Sequence, residues 1–142
     1  MSNFSAFFAQ NKIKSDNVKF AVSKNFVDGN GKPIEWELRV LSADEDETIR
    51  RESTRKVKVA GRSGAYTSEL DTNTYLTKMI SASVVYPNLN DKELQDSYKV
   101  MGAEQLLKAM LNAGEYIQLS GKVAEINGFD NTVEELADEA KN

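Results

Sequence analysis

The chain has 142 residues, a formal net charge of −4, and neither histidine nor cysteine. That length suits one domain, which buries roughly two thirds of its unfolded surface on folding. The missing residue types exclude disulfides, thiol chemistry, Ser-His or Cys-His nucleophile pairs and the usual structural zinc. The acidic balance withholds the overall pull expected of a nucleic-acid or anionic-membrane binder.

Hydrophobic residues make up 40% and charged residues 28%, a mixture that folds rather than staying disordered. No apolar run approaches the ~20 residues of a membrane helix. The start, MSNFSAFFAQNKIK, lacks a basic segment ahead of its short apolar patch, so it does not read as a signal peptide. A cytosolic protein is expected.

Within SNFSAFFAQN, Phe4, Phe7 and Phe8 stand at i, i+3 and i+4. This is one face of a short helix, with Ser2 or Asn3 as N-cap. Such a stripe must dock on the body of the domain or on a partner.

A strand pattern follows. Val18, Phe20 and Val22 alternate with Lys19, Ala21 and Ser23. Beyond the turn-rich DGNGKP of 28–33, Ile34, Trp36, Leu38 and Val40 alternate with Glu35, Glu37 and Arg39. Period 2 buries one face of each strand, and two such runs around a turn predict an antiparallel β-hairpin. Two strands alone are marginal, so helices must cover the apolar face.

The turn invites chemical readings that fail on register. Asp28-Gly-Asn30-Gly begins like a calcium loop, but Lys32, Pro33 and Arg39 occupy positions that need a ligand, a glycine and a bidentate glutamate. Gly29, Gly31 and Lys32 lack phosphate-loop spacing and join strands instead of opening a helix. Glu35 and Glu37 share a strand face, as a glycosidase pair could. That face is the wet one, so they read as solvated carboxylates.

Ser42-Ala-Asp-Glu45 is a capping box that opens a polar helix running to about Thr54. Asp44 to Glu47 lie in its first turns and Arg50, Arg51 and Arg55 near its end, both suited to the helix dipole. Residues 50–62 also carry Lys56, Lys58 and Arg62, with only Glu52 opposing. The segment reads first as a favourable helix end with a charged loop, next as a protein contact, and last as a nucleic-acid patch, since no aromatics interleave. Val57 and Val59 alternate with Lys58 before Gly61 and Gly64, which leaves both a second hairpin and a mobile loop open for 57–70.

From Asp71 the period becomes helical. Tyr75, Leu76, Met79, Ile80, Ser83 and Val84 form one stripe, stopped by Tyr86-Pro87. Asn90 and Glu93 resemble a capping pair for a helix carrying Leu94, Tyr98 and Met101, which Gly102 would end in the left-handed conformation. Leu106, Leu107, Met110 and Leu111 follow, stopped near Gly114. Tyr116, Leu119, Val123 and Ile126 come next, stopped by Gly128. Thr132 and Glu135 form a capping box for a short acidic end helix. These stripes read mainly as core. Tyr98, Met101 and Met110 are the residues whose exposure would mark a partner surface, methionine being adaptable at interfaces. The expected fold is α+β in one domain over 1–142. A β-containing part reaches about residue 70, and a mainly helical part covers about 71–142.

NFSAFFAQNKI, EWELR, SADEDETIRRE and above all YPNLNDKELQDSYKVMGAEQLLKAMLNAGEY resemble the phage tail assembly chaperones of PBSX-type prophage elements, the XkdN/YqbN-like family. The resemblance runs to about Phe129. It implies a non-catalytic protein without cofactors, encoded between the tail tube and tape measure genes. Such a protein coats the long helical tape measure protein, keeps it soluble, helps recruit tail tube subunits, and leaves before the virion matures. Many such genes also make a frameshift-extended product. The implied location is the bacterial host cytoplasm. Coating a rod takes many copies, so self-association is implied, with Phe4, Phe7 and Phe8 or a hairpin edge as candidate contacts. Arg50, Arg51, Arg55, Tyr98, Met101 and Met110 complete the candidate surface. A different class of function also stays open: a small nucleic-acid-binding regulator that uses the basic segment 50–62, prophage-encoded if the resemblance holds.

Overall fold

A computed structural model describes residues 3–129. The expected box at Thr132 and Glu135, with its acidic end helix, lies outside the described residues.

The first hairpin forms where the period-2 pattern places it. Strand β1 (Val18–Phe20) pairs antiparallel with β2 (Trp36–Leu38), Val18 facing Leu38 and Phe20 facing Trp36. Trp36 and Leu38 are almost wholly buried, and Phe26 lies against the indole with ring centroids 6.4 Å apart. In the connection, one carboxylate oxygen of Asp28 accepts from the amides of Asn30 at 2.8 Å and Lys32 at 3.0 Å. That oxygen braces a turn, as an Asx turn requires.

Helix α1 (Ala43–Glu52) starts on the expected reciprocal cap: Glu45 N donates to Ser42 Oγ at 3.1 Å, and Ser42 N to Glu45 Oε1 at 3.0 Å. Ile49 is its one buried residue. The segment left open between hairpin and loop is a hairpin. Strands β3 (Thr54–Lys58) and β4 (Tyr66–Leu70) pair in unbroken register, Arg55 facing Glu69. Most of its side chains are exposed, and Leu70 at its foot is buried.

Helix α2 (Thr72–Ser83) is capped by Asp71, whose carboxylate accepts from Thr74 N at 3.2 Å. It stops sooner than the stripe suggests. Val84–Tyr86 form a strand, β5, antiparallel to β2, with Leu38 facing Val84 and a bulge beside Glu37. Two successive β-branched residues and a residue ahead of proline all disfavour helix. The open edge of β2 then supplies the partners that the backbone needs. The sheet order is β1-β2-β5, and the third strand relieves the marginality of a lone hairpin.

Three helices follow: α3 (Lys92–Ser97), α4 (Ala103–Met110) and α5 (Ala113–Ile126). Three boundary expectations need correction. Asp91, not Asn90, caps α3, accepting from Leu94 N at 2.8 Å. Lys99, with φ of 58°, takes the left-handed position after α3, while Gly102, with φ of 94°, instead precedes α4. Gly114 lies inside α5, because Asn112 and Glu115 form a capping box one turn upstream of the first large apolar residue. The Gln95 side chain ties this region together, donating to Leu89 O at 2.8 Å and accepting from Gly102 N at 3.1 Å.

Helix α2 is the centre of the packing, lying against α1, α4, α5 and β5. Its Tyr75, Met79 and Ile80 meet Leu106 and Leu107 of α4, Leu119 and Val123 of α5, and Trp36 and Leu38 of the sheet in one buried cluster. The fold is α+β.

Candidate interaction surfaces

The N-terminal stripe is not the α-helix that its spacing suggests. Two 3-10 turns, Asn3–Phe7 and Ala9–Asn11, carry it. So short a segment gains too few hydrogen bonds to sustain an α-helix without tertiary support. Asn11 closes the arm on itself, its side-chain amide donating to Ser5 O at 2.7 Å. Phe4, Phe7 and Phe8 are 73%, 82% and 50% exposed, and Ile13 beyond them is 93% exposed. Ile13 belongs with this surface. No periodicity marks it, because it stands alone in the polar stretch NKIKSD.

A second apolar feature lies between α2 and the α4–α5 junction. A cavity of about 500 Å³ is lined by Leu76, Thr77, Leu111, Ala113, Tyr116 and Ile117, among others, with Lys108 at its rim. Thr77 Oγ1 and Tyr116 Oη lie 3.1 Å apart within it, in a hydrogen bond that satisfies both hydroxyls. Ile117 is 66% exposed. It sits outside the Tyr116-Leu119-Val123-Ile126 stripe and so gave no core signal in the sequence.

The arginines of the basic segment separate into different roles. Arg50 is built into the α1–α2 contact: its Nε donates to Asp46 Oδ2 at 2.9 Å, and its guanidinium lies 5.6 Å from the centroid of the Tyr75 ring. The Tyr75 hydroxyl donates to the other Asp46 oxygen at 2.6 Å. Burial, then this bond, push the Tyr75 pKa well above the ordinary range. Arg51 makes a loose surface pair with Glu47 at 3.8 Å, and Arg55 another with Asp71 at 4.0 Å. Pairs so exposed and so long contribute little. Lys56 and Lys58 point to the same side of β3, facing Ser68 and Tyr66 of β4.

The remaining candidates do not come together. Tyr98 and Met110 are half-buried against the core, whereas Met101 is 88% exposed in the turn before α4. Nearby, Lys78 of α2 reaches Glu104 at 3.0 Å and Glu52 at 3.6 Å, joining three helices, and its pKa is raised chiefly by the hydrogen bond to Glu104. Among the described residues, no cluster of three or more His, Cys, Asp or Glu could hold a metal ion, and no helix is long and apolar enough to cross a membrane.

Comparison with known proteins supplies the wider context. The chain is 32% identical over 139 residues to the phage-like element PBSX protein XkdN of Bacillus subtilis (strain 168), covering 96% of this chain and 93% of that one. It is 31% identical over 141 residues to the uncharacterized protein YqbN of the same organism, covering 99% of this chain and 93% of that one. The crystal structure of the protein YqbN superposes with a TM-score of 0.76 at 27% identity, covering 92% of this chain and 99% of the other. The sequence profile of the phage XkdN-like tail assembly chaperones matches residues 4–141. Sequence, fold and near-full-length coverage agree, and the chain belongs to the XkdN-like phage tail assembly chaperone family.

Proposed function

We propose that this protein is a non-catalytic chaperone of a long-tailed phage or prophage, acting in the host cytoplasm. It binds the tape measure protein during tail assembly, assists engagement of the tail tube protein, and is absent from the mature virion. The observation that carries this reading, beside family membership, is the pair of apolar surfaces held out to solvent: the Phe4-Phe7-Phe8 arm and the groove at Ile117. A long helical rod exposes apolar stripes until it is packed, and a chaperone needs matching apolar area to cover them.

Co-expression tests the reading. The tape measure protein encoded beside this chain should be insoluble alone, soluble with it, and recovered in a complex with it. Equal insolubility in both cases, with no co-purification, would sink the proposal. The nucleic-acid alternative makes a different prediction, a steep loss of binding with added salt. Against it stands the engagement of Arg50 by Asp46 and Tyr75, which removes one cation from any phosphate-binding set.

A further inference from the structure

We propose that the free edge of β3 takes up an extended acidic segment of another protein as an added antiparallel strand, whose carboxylates at alternate positions meet Lys56 and Lys58. The contact is independent of the tape measure reading and goes beyond it.

Register decides which residues of β3 turn their backbone outward. Asp71 N donates to Ser53 O at 2.8 Å, and Val59 N to Ala65 O at 3.0 Å. In an antiparallel pair, hydrogen-bonded positions alternate with non-bonded ones. The unbroken register between those two bonds makes Arg55 and Glu69 one bonded pair, and Val57 and Thr67 the next. Thr54, Lys56 and Lys58 then direct N–H and C=O away from β4, to the side where the two-stranded sheet ends. Among the described residues, no backbone bond reaches Lys56 or Lys58 from that side. Such an edge is a template for one more strand.

The side chains say which kind of strand. Lys56 and Lys58 stand on one face, about 6.8 Å apart along an extended backbone, beside Ser68 and Tyr66. Both lysines are exposed, and Tyr66 is 58% exposed. Among the described residues neither lysine has an ion-pair partner. The opposite face is compensated: Arg55 lies across from Glu69 and reaches Asp71 at 4.0 Å, and Val57 is half-buried. The unpaired charge of the two strands therefore belongs to the same residues that own the free backbone groups.

In an added antiparallel strand, the residue bonded to Lys56 or Lys58 places its side chain on their face. Carboxylates at i and i+2 meet both ammonium groups there, while their own amides close the backbone bonds. A second copy of this edge would set lysine against lysine, and like charges directly opposite destabilise a pair. A phosphodiester backbone neutralises the lysines but has no N–H for the carbonyls of Lys56 and Lys58, so an extended peptide is the better match.

Fluorescence anisotropy of the full chain with a short labelled peptide of alternating Glu and Thr is the test. The wild type should bind it, and amide hydrogen exchange at Lys56 and Lys58 should slow. Lys56→Glu with Lys58→Glu should weaken binding by about tenfold or more. Lys24→Glu with Lys92→Glu makes the same charge change at two exposed positions elsewhere, and should weaken it by less than about threefold. Should the first pair disturb the hairpin by circular dichroism, Lys56→Gln with Lys58→Gln should still lose about fivefold. N-methylation of the peptide's glutamate amides should abolish binding, whereas N-methylation of its threonine amides should spare it. Binding that survives glutamate N-methylation, or that both charge reversals weaken alike, overturns the added strand. Tighter binding of a labelled oligothymidylate of equal charge through the same lysines overturns it in favour of a phosphate grip. A wild type that does not bind the peptide overturns it too, while leaving the chaperone reading intact.

Discussion

Two residue-scale features bind α1 to its surroundings, and each makes a measurable prediction. The Tyr75 hydroxyl is the buried member of the Tyr75-Asp46-Arg50 group. A hydrogen bond to a charged acceptor contributes about 1.5–3 kcal/mol, so Tyr75→Phe should lower the unfolding free energy by that much in urea titration. Glu45 meets Arg39 through two bonds of 3.1 and 2.6 Å. Those bonds, and then the Ser42 amide, bring its pKa from 4.5 to about 2. A carboxylate whose pKa falls on folding adds stability above its unfolded value, and loses that contribution as pH drops through the folded one. The loss therefore spans pH 4.5 to about 2. The side chains of Arg39 and Glu45 are 37% and 40% exposed, so solvent screens the pair. Glu45→Gln should cost about 1 kcal/mol at pH 7 and almost nothing at pH 2, read from urea midpoints at both values.

At the scale of elements, the turn from α3 to α4 shows how a sequence rule meets its limit. A glycine after a helical stripe commonly takes the left-handed cap, and Gly102 stands where that rule looks for it. The cap is Lys99 instead, with φ of 58°, because Val100 N reaches back to Gln95 O at 3.2 Å and closes the helix three residues earlier. Gly102 has φ of 94° and ψ of 151°, a region that side chains avoid regardless of space. Opposite outcomes follow for two exposed positions. Gly102→Ala should destabilise by about 1–3 kcal/mol. Lys99→Gly should stabilise by roughly 0.5–1 kcal/mol, relief of left-handed strain outweighing glycine's entropy. Thermal unfolding of the two variants beside the wild type checks both. The β5 strand teaches a related lesson: Val84 continues the helical stripe of α2 in sequence, yet pairs with Leu38. Local period described the side-chain face correctly and the backbone state wrongly.

For the molecule as a whole, the arm adds no fully buried apolar side chain to the core. Its large apolar residues are at least half exposed, and the buried cluster begins at Val22. Removing the residues ahead of Ser15 should therefore change the unfolding free energy by less than about 1 kcal/mol. Chemical denaturation of the truncated chain beside the full one checks this. The candidate surface was half legible beforehand. The Phe4-Phe7-Phe8 spacing announced an apolar face in need of cover, although the face rides on 3-10 turns. The groove announced nothing, since Leu76, Leu111 and Tyr116 belong to stripes that read as core, and Ile117 belongs to none.

The α+β class, the first hairpin, the capping box at Ser42 and the resemblance to a family were all legible in the sequence, whereas the box of Asn112 and Glu115 was not read there. These follow from local period and from hydrogen bonds within one turn, both of which are written in neighbouring residues. Packing alone settles that 54–70 is a hairpin, that Val84–Tyr86 complete the sheet, that Arg50 serves the α1–α2 contact, and that Leu76, Leu111, Tyr116 and Ile117 line one groove. Each depends on a partner distant in the chain. A backbone edge, a carboxylate or a cavity exists only after packing has brought its parts together, and no periodicity records it in advance.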